Sequence, residues 1–194
     1  MRETPLIGPY DSHDVLAWDR GGPRTVRRFL ADAVSLAESL PDRPTALNLA
    51  TNRYEFLVGF AAAIMRRQLT LLPQSRAPQA LLQIAGEYPG SYALTDRDEA
   101  IEGIDSVSIQ PGAGQTPWPM DIPRIPSDRV VAVAFTPGST GRPVPNKKTW
   151  GALTSVAQAT GARLGIKGGE RVSVVATVPH QHMFGLEASV MLPI

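Results

Sequence analysis

The sequence contains no cysteine. Disulfides, thiolate metal sites and a cysteine nucleophile are excluded with it. Lysine is nearly as scarce: three lysines stand against 16 arginines, so a phosphate-binding or catalytic lysine has few candidates. There are three histidines, too few and too scattered to suggest a metal centre. No apolar run approaches ~20 residues, so no membrane span is expected. The opening Met1-Arg2-Glu3-Thr4-Pro5 lacks the apolar core of a secretory signal, and the chain reads as cytoplasmic. A net charge of +1 leaves no basic stripe for nucleic acid. The arginine groups Arg24, Arg27, Arg28 and Arg66, Arg67 read as solvated helix faces.

What remains is ordinary for a soluble domain: 43% hydrophobic and 19% charged residues over 194 positions. A chain of this length buries roughly 70% of its unfolded surface and needs no covalent staple. Apolar residues at Val26, Phe29, Leu30, Ala33, Ala37 and Leu40 recur at helical spacing. Residues 46–50 read as a buried strand, with Thr51 or Asn52 capping a helix over 54–67. Its apolar face is Phe56, Leu57, Phe60, Ala61 and Ile64. Strand 69–72, a helix from Pro78 to about residue 88, strand 92–95 and a strand near 107–109 follow. The alternation predicts an α/β fold with a mainly parallel sheet flanked by helices. Such sheets bind ligands beyond the carboxyl ends of their strands.

Residues 111–127 carry five prolines and two glycines and read as a connector between a lobe at 1–110 and a segment at 128–194. In that second segment, strands at 130–135 and 171–178, a helix at 149–164 and a helix from 184 onward are expected. The apolar end 188–194 suggests a chain cut inside a larger fold, and predicts self-association.

The chemistry gathers in two places. Phe135-Thr136-Pro137-Gly138-Ser139-Thr140-Gly141-Arg142-Pro143 lies between a buried strand and a helix. Glycines there allow converging backbone N–H groups, and Thr136, Ser139 and Thr140 add hydroxyls, a combination suited to a triphosphate or to a plain βα turn. A Walker A loop is excluded because no second glycine precedes the lysine. Gly112-Ala113-Gly114 begins like a dinucleotide fingerprint, but Pro117 occupies the last glycine position. Ser139 is not framed as a hydrolase elbow. The second place is Pro179-His180-Gln181-His182-Met183-Phe184-Gly185, whose histidines read either as structural caps or as part of a substrate pocket.

These motifs resemble the adenylate-forming, acyl/aryl-CoA ligase-like superfamily. Residues 135–143 are similar to its hydroxyl-rich phosphate loop, and Pro179–Gly185 to its Pro-x-x-His-x-x-Gly segment. Asn52, Glu55-Phe56, Leu72-Pro73 and Leu94-Thr95-Asp96 match landmarks of its N-terminal block. The resemblance covers most of residues 25–194 and implies the N-terminal portion of the large domain. It implies that Thr136, Gly138, Ser139, Thr140 and Gly141 bind the phosphates of ATP, taken with Mg2+, and that His182, Phe184 and Gly185 shape the acid pocket. The acid would become an acyl adenylate and pass to a coenzyme A or carrier-protein thiol.

Two departures stand out. Pro137 replaces a hydroxyl residue, and Val144-Pro145 replaces Lys-Gly, leaving Lys147 or Lys148 as the stand-in, with Lys148 assigned here. The catalytic residues of such enzymes are expected beyond Ile194, so the fragment alone is expected to be inactive. A further resemblance to ligases of aryl-polyene-type pigment synthesis suggests a hydroxybenzoate-like aryl acid. A fatty acid is the alternative substrate, and a non-catalytic module derived from such a ligase is the alternative role.

Overall fold

The computed structural model describes residues 2–19, 21–97, 100–112, 121–136, 143–167 and 170–194. Among these, the central feature is a six-stranded sheet in the order β10-β9-β5-β4-β6-β7. Its strands are β4 (Thr45–Asn48), β5 (Leu69–Leu72), β6 (Tyr92–Thr95), β7 (Ser106–Ser108), β9 (Val130–Thr136) and β10 (Val144–Thr149). All neighbours run parallel except the β9–β10 hairpin. The carboxyl ends of β4, β5, β6 and β9 therefore share one edge, as the alternating pattern predicts.

The sheet is covered on both faces, which is why its strands are continuously apolar rather than alternating. One face, through Ala46, Leu72, Tyr92 and Leu94, packs with α1 (Val26–Ser39), α2 (Arg53–Met65) and α4 (Trp150–Arg163). The other, through Leu47, Leu71, Ala93 and Val133, packs on Leu81 and Ile84 of α3 (Pro78–Glu87). β9 sits beside β5, so the segments on either side of the 111–127 connector contribute to one sheet.

α2 is buried over Phe56–Ile64 without a break, where the spacing predicts a single apolar face. A helix apolar all round belongs inside, and α2 lies between the sheet, α1 and the chain's last residues. Its start is fixed by the Asn52 side chain, which accepts from the backbone N–H of Tyr54 (2.8 Å) and Glu55 (3.2 Å).

Five strands escaped the sequence patterns. β1 (Glu3–Pro5) pairs with β8 (Arg124–Pro126), and β2 (Val15–Asp19) pairs with β3 (Gly22–Thr25). These strands are short, and β1, β3 and β8 each carry a proline. β10 reads in sequence as the tail of a loop but forms the edge strand of the main sheet.

One expected strand is absent. Residues 171–178 pair with no strand among the described residues, despite their valines. β propensity is conditional on a neighbouring strand to complete the ladder. Here Val175 is 95% exposed, and two carbonyls of the run are taken by an arginine instead.

The arginine group at the end of β3 and the start of α1 is less solvated than its spacing suggests. Arg24 pairs with Asp19 at 2.7 Å and lies over the Tyr54 ring. Arg28 pairs with buried Asp32 at 3.0 Å, and Asp32 also accepts from the Tyr54 hydroxyl (2.7 Å) and the Gly112 N–H (2.8 Å). This network ties α1, α2 and the start of the connector together. Burial is the main cause that holds the Tyr54 phenol far above its ordinary range, with the Asp32 contact adding to it.

Candidate functional site

The carboxyl edge of the sheet gathers four turns. After β4, Leu49 and Ala50 lead into the α2 N-terminus. After β6, Asp96 folds back over that turn. Its Oδ2 accepts from the backbone N–H of Thr51 (2.7 Å) and Asn52 (2.6 Å) and from the Thr51 hydroxyl (2.8 Å). Burial works to raise the Asp96 carboxyl pKa, but these donors outweigh it and hold the group below the usual carboxylate range.

Pro179–Gly185 lies against this turn. The His180 ring is buried and rests on Phe56 with ring centres 4.5 Å apart. Its Nε2–H donates to the Ala50 carbonyl at 2.8 Å, and the Gln181 amide donates to the same oxygen at 2.6 Å. Burial pushes the imidazole pKa down, Arg53 adds to that, and the Ala50 bond and Asp96 oppose it. His180 is thus a buried anchor, the structural member of the two readings open in sequence.

His182 is half-buried and stands at the N-cap of α5 (Met183–Leu186), with its carbonyl accepting from the Leu186 N–H at 2.8 Å. Gly185 is buried, and a Cβ there would overlap the Pro179 carbonyl oxygen. The turn can close onto α5 only because position 185 has no side chain. Phe184 is 68% exposed, facing away from the turn's packed side. A π-helical turn, Glu187–Met191, follows.

A cavity of about 500 Å3 opens between these turns. It is lined by Leu49, Thr51, Arg53, Pro73, Gln74 and Arg76 on one side and by residues 176–182 on the other. It includes His182 but neither Phe184 nor Gly185. Its lining holds two guanidinium groups and no carboxylate, which suits an anion. A larger cavity of about 1160 Å3 lies between the β2–β3 hairpin and residues 171–176, and shares Thr51, Arg53 and Ala176 with the first.

The phosphate-loop candidates divide. Gly138, Ser139, Thr140 and Gly141 lie outside the described residues. Thr136 ends β9, and its exposed hydroxyl accepts from the Asn146 amide at 3.2 Å. Asn146 carried no signal in sequence, yet it braces the open end of the hairpin by also donating to the Val144 carbonyl at 3.2 Å. Lys148 pairs with Ala132, four residues along β10 from the Val144–Thr136 pair that begins the hairpin. That separation is about 13 Å along the strand, more than a four-carbon stem covers. The loop residues that Lys148 is expected to join lie outside the described residues.

Ala50, Arg53 and Asp96 shape this site but have no role in the sequence reading, where Asp96 stands only as a landmark after β6. Ala50 acts through its carbonyl, which no side-chain motif reports. Asp96 follows the buried strand β6, a position that suits a cap across the sheet.

No protein-family model and no curated protein matches the chain. Solved structures do match. O-succinylbenzoate CoA synthetase from Bacillus subtilis, in complex with the acyl-adenylate intermediate OSB-AMP, superposes with a TM-score of 0.75 at 21% identity, over 98% of this chain and 55% of that one. The same enzyme with ATP and magnesium ion gives 0.71 over 96% and 54%, also at 21% identity. A malonyl-CoA ligase with methylmalonyl-CoA and AMP bound gives 0.79 at 18% identity, over 98% and 41%. The N-terminal subdomain of Klebsiella oxytoca NpsA, with 3-hydroxybenzoyl-AMSN, gives 0.56 at 16% identity over 70% and 36%. The likeness establishes a shared fold, and the chain spans about half the length of the first of these structures.

Proposed function

We propose that this chain forms the phosphate-holding and part of the acid-binding portion of an ATP-dependent ligase that activates a carboxylic acid as its acyl adenylate. The observation that carries the reading is the hydroxyl- and glycine-rich run 136–141 following the central strand β9 at the carboxyl edge of the sheet, in a fold shared with structures that hold acyl adenylate, ATP or AMP. Backbone N–H groups and the Ser139 and Thr140 hydroxyls would hold the β- and γ-phosphates of MgATP, which enters as substrate. The acid's carboxylate oxygen attacks the α-phosphorus, the bond to the bridging oxygen breaks, and pyrophosphate leaves with both electrons. The cavity beside His182 offers the Arg76 guanidinium to that carboxylate, and burial of His180 against Phe56 excludes water from its inner end.

A thiol of coenzyme A or of a carrier protein would then displace AMP from the acyl group. The aryl-acid lean draws on the resemblance in sequence and on the hydroxybenzoyl ligand of the Klebsiella subdomain. Because the chain spans about half of the first matched structure, residues 1–194 are proposed to bind nucleotide without completing adenylation.

Calorimetric titration with MgATP tests the nucleotide site. Binding is expected, and removing a hydroxyl donor in S139A or T140A should weaken it by about tenfold each. Binding unchanged in both variants would sink the assignment. A second reading, a module that has lost nucleotide chemistry, is favoured by Val144-Pro145 and by the distance of Lys148 from the hairpin end. Absence of MgATP binding in the full natural chain would select it.

A further inference from the structure

Arg53 stands at the first position of α2 and reaches the far side of the site with three donors. Its Nη2 donates to the Val178 carbonyl at 2.8 Å, its Nη1 to the Ala176 carbonyl at 3.2 Å, and its Nε to the Ser189 hydroxyl at 3.1 Å. Ser189 in turn donates to the Gly185 carbonyl at 2.5 Å. One guanidinium thus grips the chain on both sides of Pro179–Gly185, before the turn at 176 and 178 and after it at 189. Residues 171–178 have no strand partner among the described residues, so ladder bonds do not perform this task. Arg53 is also shared by the two cavities and forms part of the wall between them.

The root of the grip is itself braced. Asp96 holds the backbone of Thr51 and Asn52, the Asn52 side chain caps α2, and the Ala50 carbonyl receives His180 and Gln181. The path from β6 to the half-buried His182 therefore runs through rigid backbone and one planar, bidentate-capable cation. A lysine could not span three acceptors in fixed directions.

We infer that Arg53 is a positioning residue that sets the acid affinity of the cavity by holding residues 176–189 against the α2 N-terminus. This rests on the reading that the cavity beside His182 receives the acid. Arg53 would touch neither the acid nor the phosphates, so its loss should act on the acid and spare ATP.

Two measurements on R53Q and R53K in the full natural chain test this. Amide exchange of residues 182–192 should speed up by about tenfold or more in R53Q, with α1 unchanged. Pyrophosphate release with MgATP and, as probe acids, benzoate, 4-hydroxybenzoate and octanoate should show the acid KM raised about tenfold with the ATP KM within about twofold. R53K should recover only part of each effect. Unchanged exchange over 182–192, or an equal rise in both KM values, would overturn the inference. Should R53Q fail to fold, S189A removes one of the three contacts and should loosen 182–192 to a smaller degree; no loosening there counts against the grip. A wild-type chain that turns over none of the probes refutes the activation reading and the acid-affinity half with it, while exchange still decides whether Arg53 holds the segment.

Discussion

At the residue scale, the site depends on a few positions where one atom decides the outcome. Gly185 is the sharpest. A methyl group there meets a backbone oxygen, not a flexible side chain, so the Pro179 turn must move. Gly185→Ala is expected to lower stability by about 1–3 kcal/mol, as overpacking at a closed contact does, read as a shift in the denaturant midpoint. His180 gives a pH signature. Its imidazole is held below the ordinary pKa chiefly by burial, so in the folded state it stays neutral where the unfolded chain already binds a proton. The stability that follows is present above the unfolded pKa near ~6.5 and is lost as pH falls through that value towards the folded pKa. Denaturation measured from pH 7.5 down to 5 should therefore show a declining stability that is flatter in His180→Gln. An identical slope in the two proteins would refute the assignment.

At the element scale, α2 is the piece on which the site is built. It is buried on all sides, begins with the capped turn that receives His180, and offers Arg53 from its first position. Phe56 is wholly buried, stacked near Phe60 and against the His180 ring. Phe56→Ala should cost about 3–5 kcal/mol and should also free the His180 ring, visible as a titration nearer its ordinary range by NMR. α2 was legible as a helix because its apolar residues are dense and Asn52 stands at its start. Its burial on every side was not legible, because the number of neighbouring elements is a property of the packed sheet. The opposite error occurred at 171–178. Five apolar residues in eight suggest a strand, but the pattern contains no information on whether a partner strand lies alongside.

At the scale of the whole molecule, stability should be graded from the sheet centre outward. β4, β5, β6 and β9 are flanked by strands on both sides, whereas residues 171–178 have no ladder among the described residues and expose Val172, Val174 and Val175. Native-state amide exchange should be slowest in these four interior strands and fastest across 171–178. Protection at 171–178 equal to that of β4 would show that this run has found a ladder in solution.

The residues that carry fold class and the proposed phosphate run are local in sequence, so the alternating apolar blocks, the Asn52 cap and the 136–141 run could be read directly from the chain. Their signal is periodicity and residue type over a short window. The packing of His180 on Ala50, the fold-back of Asp96, the reach of Arg53 to Ser189 and the distance of Lys148 from the hairpin end join positions up to 136 residues apart. No local pattern encodes such pairs. They arise when the parallel sheet brings the carboxyl ends of separate strands to one edge, and hydrogen bonds to backbone carbonyls there leave no mark on the identity of the accepting residue.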